Sequence, residues 1–319
     1  MTTVRFHHLR SLLLASVIVA GSAGASVADG CQQLVDAFNR AIDTGNATVA
    51  QERVDRIAQD ATCGRYQVPA QRRLAAFRLS SAQQLMARGR PVGEYEQFLV
   101  DADRPQVLWQ AAATLAEVRF GQRRFVDAAL AFDRAIDVIR NEALTPAAPS
   151  KFDIQSILER AGQSRLLAAH VAEGQKAKGF VKTARNERDG MLGGIYSPSV
   201  RGIVPKAIPV PITFEFAKAM FTPIGELAAA ELAVAMKDQR PDEVKLVGHT
   251  DVRGGAELNL ELSKDRAEAV AKYLREQGVQ TKIDTIGKGA SEPMRLSDTS
   301  GLTQDDIYAL NRRVEWRRE

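Results

Sequence analysis

Apolar positions fall three and four apart through most of the first half of the chain, the spacing that gathers them on one face of a helix. Leu34-Val35, Phe38 and Ala41-Ile42 lead to a turn at Thr44-Gly45-Asn46, and a second amphipathic stretch runs through Val54 and Ile57-Ala58. The same spacing continues to about Phe180, punctuated at Gly89-Arg90-Pro91 and Thr145-Pro146, so helix upon helix is predicted there. Beyond Ile208 the period changes. Ile212, Phe214 and Phe216 alternate with Thr213 and Glu215, which predicts a strand buried on one face. Val244-Lys245-Leu246-Val247 is a short aliphatic run ending at Gly248 and reads as a buried strand. From Leu258 the spacing is helical again, with Leu262, Ala269, Val270, Tyr273 and Leu274 in one stripe. Val314 and Trp316 alternate with Arg313, Glu315 and Arg317, which predicts a last strand whose charged face is solvated.

Within the helical half the clearest pattern is Leu115-Ala116 through Phe120, then Phe125, Ala128, Phe132 and Ala135. Small residues alternating with aromatics let paired helices approach, and this spacing resembles a tetratricopeptide repeat (TPR). Weaker echoes lie at 34–62 and 70–101, and an irregular helical bundle is the alternative, because Ala-rich amphipathic helices mimic the pattern. Between Asp189 and Pro211 the chain gathers Gly190, Gly193, Gly194, Gly202, Pro198, Pro205, Pro209 and Pro211, a composition that breaks helices and marks a boundary. The expected organisation is a leader at 1–28, an all-α helical domain at 29–180, a Gly/Pro-rich linker at 181–207 and an α/β domain at 208–319.

Candidate chemistry concentrates in that last segment. Asp251 sits just past the carboxyl end of the expected strand, and Arg266 falls on or beside the inward stripe of the following helix, where a guanidinium needs an anion. A loop leading into the helix could bring the two together. One carboxylate and one guanidinium suit a zwitterionic amino-acid head group. A structural ion pair at a sheet edge is the other reading of the same residues.

Several runs, in order, settle which reading the sequence favours: Ile212-Thr213-Phe214-Glu215-Phe216, Gly248-His249-Thr250-Asp251, Asn259 with Leu262-Ser263, Arg266-Ala267, Gly287-Lys288-Gly289 with Pro293, and Asn311-Arg312-Arg313-Val314-Glu315. Over 208–319 they resemble the OmpA-like peptidoglycan-binding domain. That resemblance implies a mixed-sheet βα-βα-ββ sandwich in which Asp251 and Arg266 grip the diaminopimelate of the peptidoglycan stem peptide, with Thr250, Asn259, Asn311 and Arg312 as secondary contacts. Ala217 departs from it, standing with Lys218 beside it where members often carry a polar residue, and this departure puts the affinity in doubt.

Composition narrows the class. The 319 residues are 45% hydrophobic and 26% charged, an ordinary globular balance with room for two domains. The formal charge of +4 becomes about +2 if Arg5 and Arg10 are removed with a leader, and no basic block marks a nucleic-acid binder. Arg5 and Arg10, the apolar run from Leu12 to Ala20, and the small residues Ala23, Ala25 and Ala28 have the form of a secretory signal peptide. That apolar run is too short to span a bilayer. Cys31 after Gly30 raises a lipoprotein alternative, against which Asp29 fits poorly. Cys31 and Cys63 are better explained as a disulfide closing the first helical hairpin in an oxidising compartment.

Catalysis finds little support. Only His170 and His249 remain after the leader, and His170 lies in an Ala/Leu-rich helix where a surface or core role is expected. No metal-ligand spacing, nucleophile elbow or phosphate loop is present, and Gly287-Lys288-Gly289 lacks the spacing of the last. No cofactor is expected. The resulting expectation is a non-enzymatic periplasmic protein associated with the cell wall and the outer membrane, with peptidoglycan on its C-terminal domain and a protein partner on its helical domain. The rival is a helical adaptor whose C-terminal domain is a structural or dimerisation scaffold without peptidoglycan affinity.

Overall fold

The computed structural model describes residues 27–174, 182–186, 189–296 and 298–318. Most of the expected leader therefore lies outside the described residues. No described helix is long and apolar enough to cross a membrane. Two compact units divide at Ala111/Ala112, inside helix α5 (Trp109–Gly121) and earlier than the Gly/Pro-rich stretch suggests.

The first unit contains α1 (Val27–Asp43), α2 (Ala47–Gln59), α3 (Gly64–Ala87) and α4 (Glu96–Asp103). Gly45, with a positive φ of 74°, turns the chain, and the Asn46 side chain caps α2 by accepting from the Val49 amide at 3.0 Å. Phe38, Ala50, Val54, Ile57 and Leu74 meet in one core. Cys31 and Cys63 lie in that core and are joined by a disulfide, with Cα atoms 5.5 Å apart.

The second unit joins α6 (Phe125–Arg140) and α7 (Lys151–Gly174) to the C-terminal sheet. All the residues of the repeat-like pattern, from Leu115 to Ala135, are buried. The sheet is built from β1 (Ala207–Val210), β2 (Glu243–Gly248), β3 (Lys282–Gly287) and β4 (Val314–Arg318) in the order β1-β4-β2-β3. β2 and β3 are parallel, while β4 runs antiparallel to both β1 and β2, so the sheet is mixed. Helices α8 (Pro223–Gln239), α9 (Ala256–Glu276) and α10 (Gln304–Asn311) fall between successive strands, so a helix also separates the last two strands.

Gly248 and Gly287, at the ends of the paired strands, fix the depth of α9. A Cβ at Gly248 would run into the Ser263 carbonyl, and one at Gly287 would lie 2.6 Å from the Leu260 carbonyl oxygen. Their absence of a side chain lets α9 press on the strand ends and carries Arg266 inward.

Two sequence expectations need correction. The first strand is Ala207–Val210 rather than Ile212–Phe216, because Thr213-Phe214 turns back through a short loop to pair with Phe221-Thr222. Ile212 is buried, but Phe216 at the loop tip is 92% exposed. The charged face of β4 is not solvated either. Arg313 and Glu315 are buried and paired at 2.6 Å, with His249 3.5 Å from the same carboxylate group.

The Gly/Pro-rich stretch is packed, with Leu192, Ile195, Tyr196 and Val200 all buried. Beneath it Arg165 of α7, 1% exposed, donates to Asp133 of α6 at 2.9 Å and to Glu231 of α8 at 3.3 Å. Burial opposes that charge, but the two carboxylates outweigh it and hold the guanidinium above its usual range. This network joins α6 and α7 to the first helix of the C-terminal α/β segment.

Candidate ligand-binding site

The loop after β2 is pinned at both sides of the sheet. The His249 amide donates to the Arg313 carbonyl at 2.9 Å, and the Thr250 amide to the Gly289 carbonyl at 2.9 Å. Asp251 is then held 6% exposed, accepting from the Arg253 amide at 3.0 Å, from Arg253 Nη2 at 2.6 Å and from Arg312 Nη1 at 2.8 Å. Burial pushes this carboxyl up, but the two arginines win and bring it down to about 2. Asn259, near the start of α9, donates to the carbonyl oxygens of Asp251 at 3.4 Å and Arg253 at 2.9 Å, and so fixes the loop.

Arg266 reaches the same region from the middle of α9. It is 7% exposed, its Nε donates to the Lys218 carbonyl at 3.1 Å, and its guanidinium lies 5.0 Å from the Phe214 ring centre. No carboxylate stands within ion-pair distance of it among the described residues. Burial, reinforced by the charge of Arg312 and opposed by that of Asp251, lowers its pKa to about 10. The Lys218 carbonyl that meets it belongs to the turn where Ala217 departs from the family pattern. Ala217 adopts φ 54°, the left-handed region in which asparagine and glycine are at ease and alanine is strained.

A cavity of about 60 Å³ opens beside Arg266. Its walls are Leu166, His170 and Glu173 of α7, the segment Pro211–Phe214, Arg266, Ala309 and Arg312. Of the six residues expected to contact the ligand, Arg266 and Arg312 line it. Asp251 accepts from Arg312 and does not line the cavity, Asn259 braces the loop, and Asn311 spans Met294 N at 2.8 Å and Ile307 O at 2.7 Å as a brace of its own. The Thr250 hydroxyl is buried without a hydrogen-bond partner among the described residues. Sequence reasoning missed Arg253 and Glu173. Arg253 follows Asp251 by two positions and could have been found as its local partner; Glu173 is distant in sequence and gives no signal of its own.

The α7 wall changes the reading of His170. Its Nε2 lies 2.9 Å from Asp305 Oδ2, and the ring is half-buried at the edge of the cavity. Glu173 is half-buried as well. Burial raises its pKa, opposed by the Thr222 and Thr213 hydroxyls and by the charges of His170 and Arg312.

Residues 213–304 match the OmpA family model. They are an OmpA-family domain. This OmpA-like domain is 35% identical over 109 residues to the probable lipoprotein YiaD of Escherichia coli K12, covering 34% of this chain and 48% of that protein. It is 32% identical over 111 residues to outer membrane protein A of Shimwellia blattae, covering 33% and 46%. The chain thus spans about half the length of these relatives or less. Among solved structures it is similar to the OmpA-like domain of FopA1 from Francisella tularensis, at 28% identity and a TM-score of 0.28, over 34% of this chain and 69% of that one.

Proposed function

We propose that this chain is a non-catalytic periplasmic cell-envelope protein that holds peptidoglycan through the diaminopimelate of the stem peptide. The observation that carries the reading is Arg266, a buried guanidinium that faces a cavity and has no carboxylate within ion-pair distance among the described residues. A buried guanidinium with no hydrogen-bonded carboxylate is costly, and a ligand carboxylate offers it a bidentate partner. Arg312 adds positive potential on the same wall, while Asp251, Asn259, Thr250 and Asn311 hold the loops that shape it. The Cys31–Cys63 disulfide fits an oxidising compartment such as the periplasm.

The helical portion serves in this reading as the platform for a protein partner. Its repeat-like residues from Leu115 to Ala135 are occupied in internal packing, so a partner would use the outward faces of the TPR-like helices. The test is a pull-down of the full chain on purified sacculi, with and without competing free diaminopimelate. Retention that free diaminopimelate abolishes supports the reading. No retention leaves the OmpA-like domain as a scaffold within a helical adaptor.

A further inference from the structure

β3 forms one edge of the sheet, and among the described residues it pairs with β2 alone. Its backbone groups alternate in direction. The Lys282 amide donates to the Asp242 carbonyl at 3.1 Å and the Lys288 amide to the Gly248 carbonyl at 3.0 Å, which turns the even-numbered residues toward β2 and the odd-numbered ones, Ile283, Thr285 and Gly287, outward. The Ile283 carbonyl agrees with this, because Arg275 Nη2 reaches it from α9 at 3.3 Å. An edge of this kind is a template for another strand.

Beside that edge α9 presents a groove lined by Asp265, Glu268, Ala269, Lys272 and Arg275, with Thr285 of β3 as its other wall. The charges of this helix are ordered about Val270 with the sign reversed on either side. Two positions away stand Glu268 and Lys272, five away Asp265 and Arg275, and six away Lys264 and Glu276. Two such helices laid antiparallel with Val270 level put every carboxylate of these pairs opposite a cation of the other copy, because an even rise of about 1.5 Å per residue keeps matched positions at one height. Within one chain four of these groups are only loosely engaged, Lys264 with Glu268 at 3.7 Å and Lys272 with Glu276 at 3.9 Å, and all four are more than half exposed.

Strand and helix fit the same two-fold symmetry. Gly287 abuts Leu260 and Lys264 while Ile283 meets Arg275, so α9 runs antiparallel to β3 with its middle over the strand. α9 rests on both β2 and β3, and a strand spacing of about 4.8 Å then sets two symmetry-related α9 axes about 10 Å apart, the distance at which helices pack. Ala269 and Ala271, next to Val270, are small enough to admit that approach. We propose that the β3 edge and the α9 groove form a homodimer interface, in which two copies pair their β3 strands antiparallel about Ile283, joining two four-stranded sheets into one, and α9 packs on α9. This register hydrogen-bonds the outward groups of Ile283 to those of Ile283 in the second copy and sets Lys282 of each copy opposite Asp284 of the other. Arg275 leaves the Ile283 carbonyl and takes Asp265 of the second copy. The inference stands apart from the peptidoglycan reading and does not need it.

The test uses the full chain and two charge-reversed forms of it, Asp265→Lys/Glu268→Lys and Lys272→Glu/Arg275→Glu, with melting curves to establish that each variant is folded. Sedimentation velocity over about 1 to 100 μM reads association in the range of modest interfaces. The wild type should pass from monomer to dimer across the series. Each reversed form sets like charges against each other across the two-fold axis and should remain a monomer, whereas an equimolar mixture of the two restores every pair and should dimerise. Thr285→Pro removes an outward amide that the β2 ladder does not use, and it should abolish the dimer while leaving the fold intact. A wild type that stays monomeric throughout, a dimer that survives in both reversed forms or in Thr285→Pro, or a mixture that fails to associate would each overturn the inference.

Discussion

Arg312 Nη1 donates to Asp251 Oδ2 at 2.8 Å, tying the residue after α10 to the loop that follows β2. The pair closes the carboxyl ends of the strands, and it decides what Asp251 does. A carboxylate that accepts from two arginines is first of all a clamp on the loop that shapes the cavity.

That clamp gives a pH signature. Arg253 and Arg312 hold Asp251 at about 2 against the opposing effect of burial, below the ordinary 3.8, so its stabilisation is present above about pH 4 and disappears as pH falls through about 2. Asp251→Asn should cost about 2 kcal/mol at neutral pH, and its stability should converge with the wild type at the acid end. Urea unfolding at stepped pH measures this. Equal stability of the two proteins at pH 7 would contradict the clamp.

Arg266 should behave in the opposite sense. It is buried, close to the charge of Arg312, and its own pKa is lowered to about 10, so its charge strains the folded state in the absence of ligand. Arg266→Met should leave the protein as stable or gain about 1 kcal/mol, while abolishing retention on sacculi. Thermal melts and the pull-down together check it, and a strongly destabilised variant would mean that Arg266 is a structural residue.

The disulfide should carry much of the stability of the first unit. Cys31 and Cys63 are separated by 32 positions, and closing a loop of that size contributes about 3 to 4 kcal/mol. Reduction, or the Cys31→Ser/Cys63→Ser variant, should lower the melting transition of that unit. Mass spectrometry of the unreduced protein should recover the two cysteine peptides linked.

The buried network under the Gly/Pro-rich stretch is a further point of sensitivity. Arg165→Met strands Asp133 and Glu231 in the interior and should cost about 3 kcal/mol or more. Adding Asp133→Asn should recover part of that loss, a coupling that a double-mutant cycle in urea reads directly.

Much of this was legible in the chain because each feature was local. The run from Val244 to Gly248 is β2, and the inward position of Arg266 follows from its spacing to Leu262 and Val270. The cysteine pairing follows from a hairpin whose turn at Gly45 is visible in sequence. What escaped depends on contacts between distant segments. Alternation alone could not distinguish a solvated Arg313/Glu315 face from one buried against His249, since an internally paired charge has the same period as an exposed one. Phe216 continues an alternation that the turn at Ala217 interrupts, and no residue there announces the left-handed conformation. Glu173 enters the cavity only because α7 packs against α10 and β1, a relation carried by tertiary packing alone.

The central claim is that Arg266 receives a carboxylate of diaminopimelate. The most direct measurement is calorimetric titration of the full chain with two muropeptides that differ only at the third stem residue, diaminopimelate in one and lysine in the other, which deletes that carboxylate. The wild type should bind the diaminopimelate form at least about tenfold more tightly, and Arg266→Ala should abolish the difference. Equal affinity of the wild type for the two muropeptides would contradict the account.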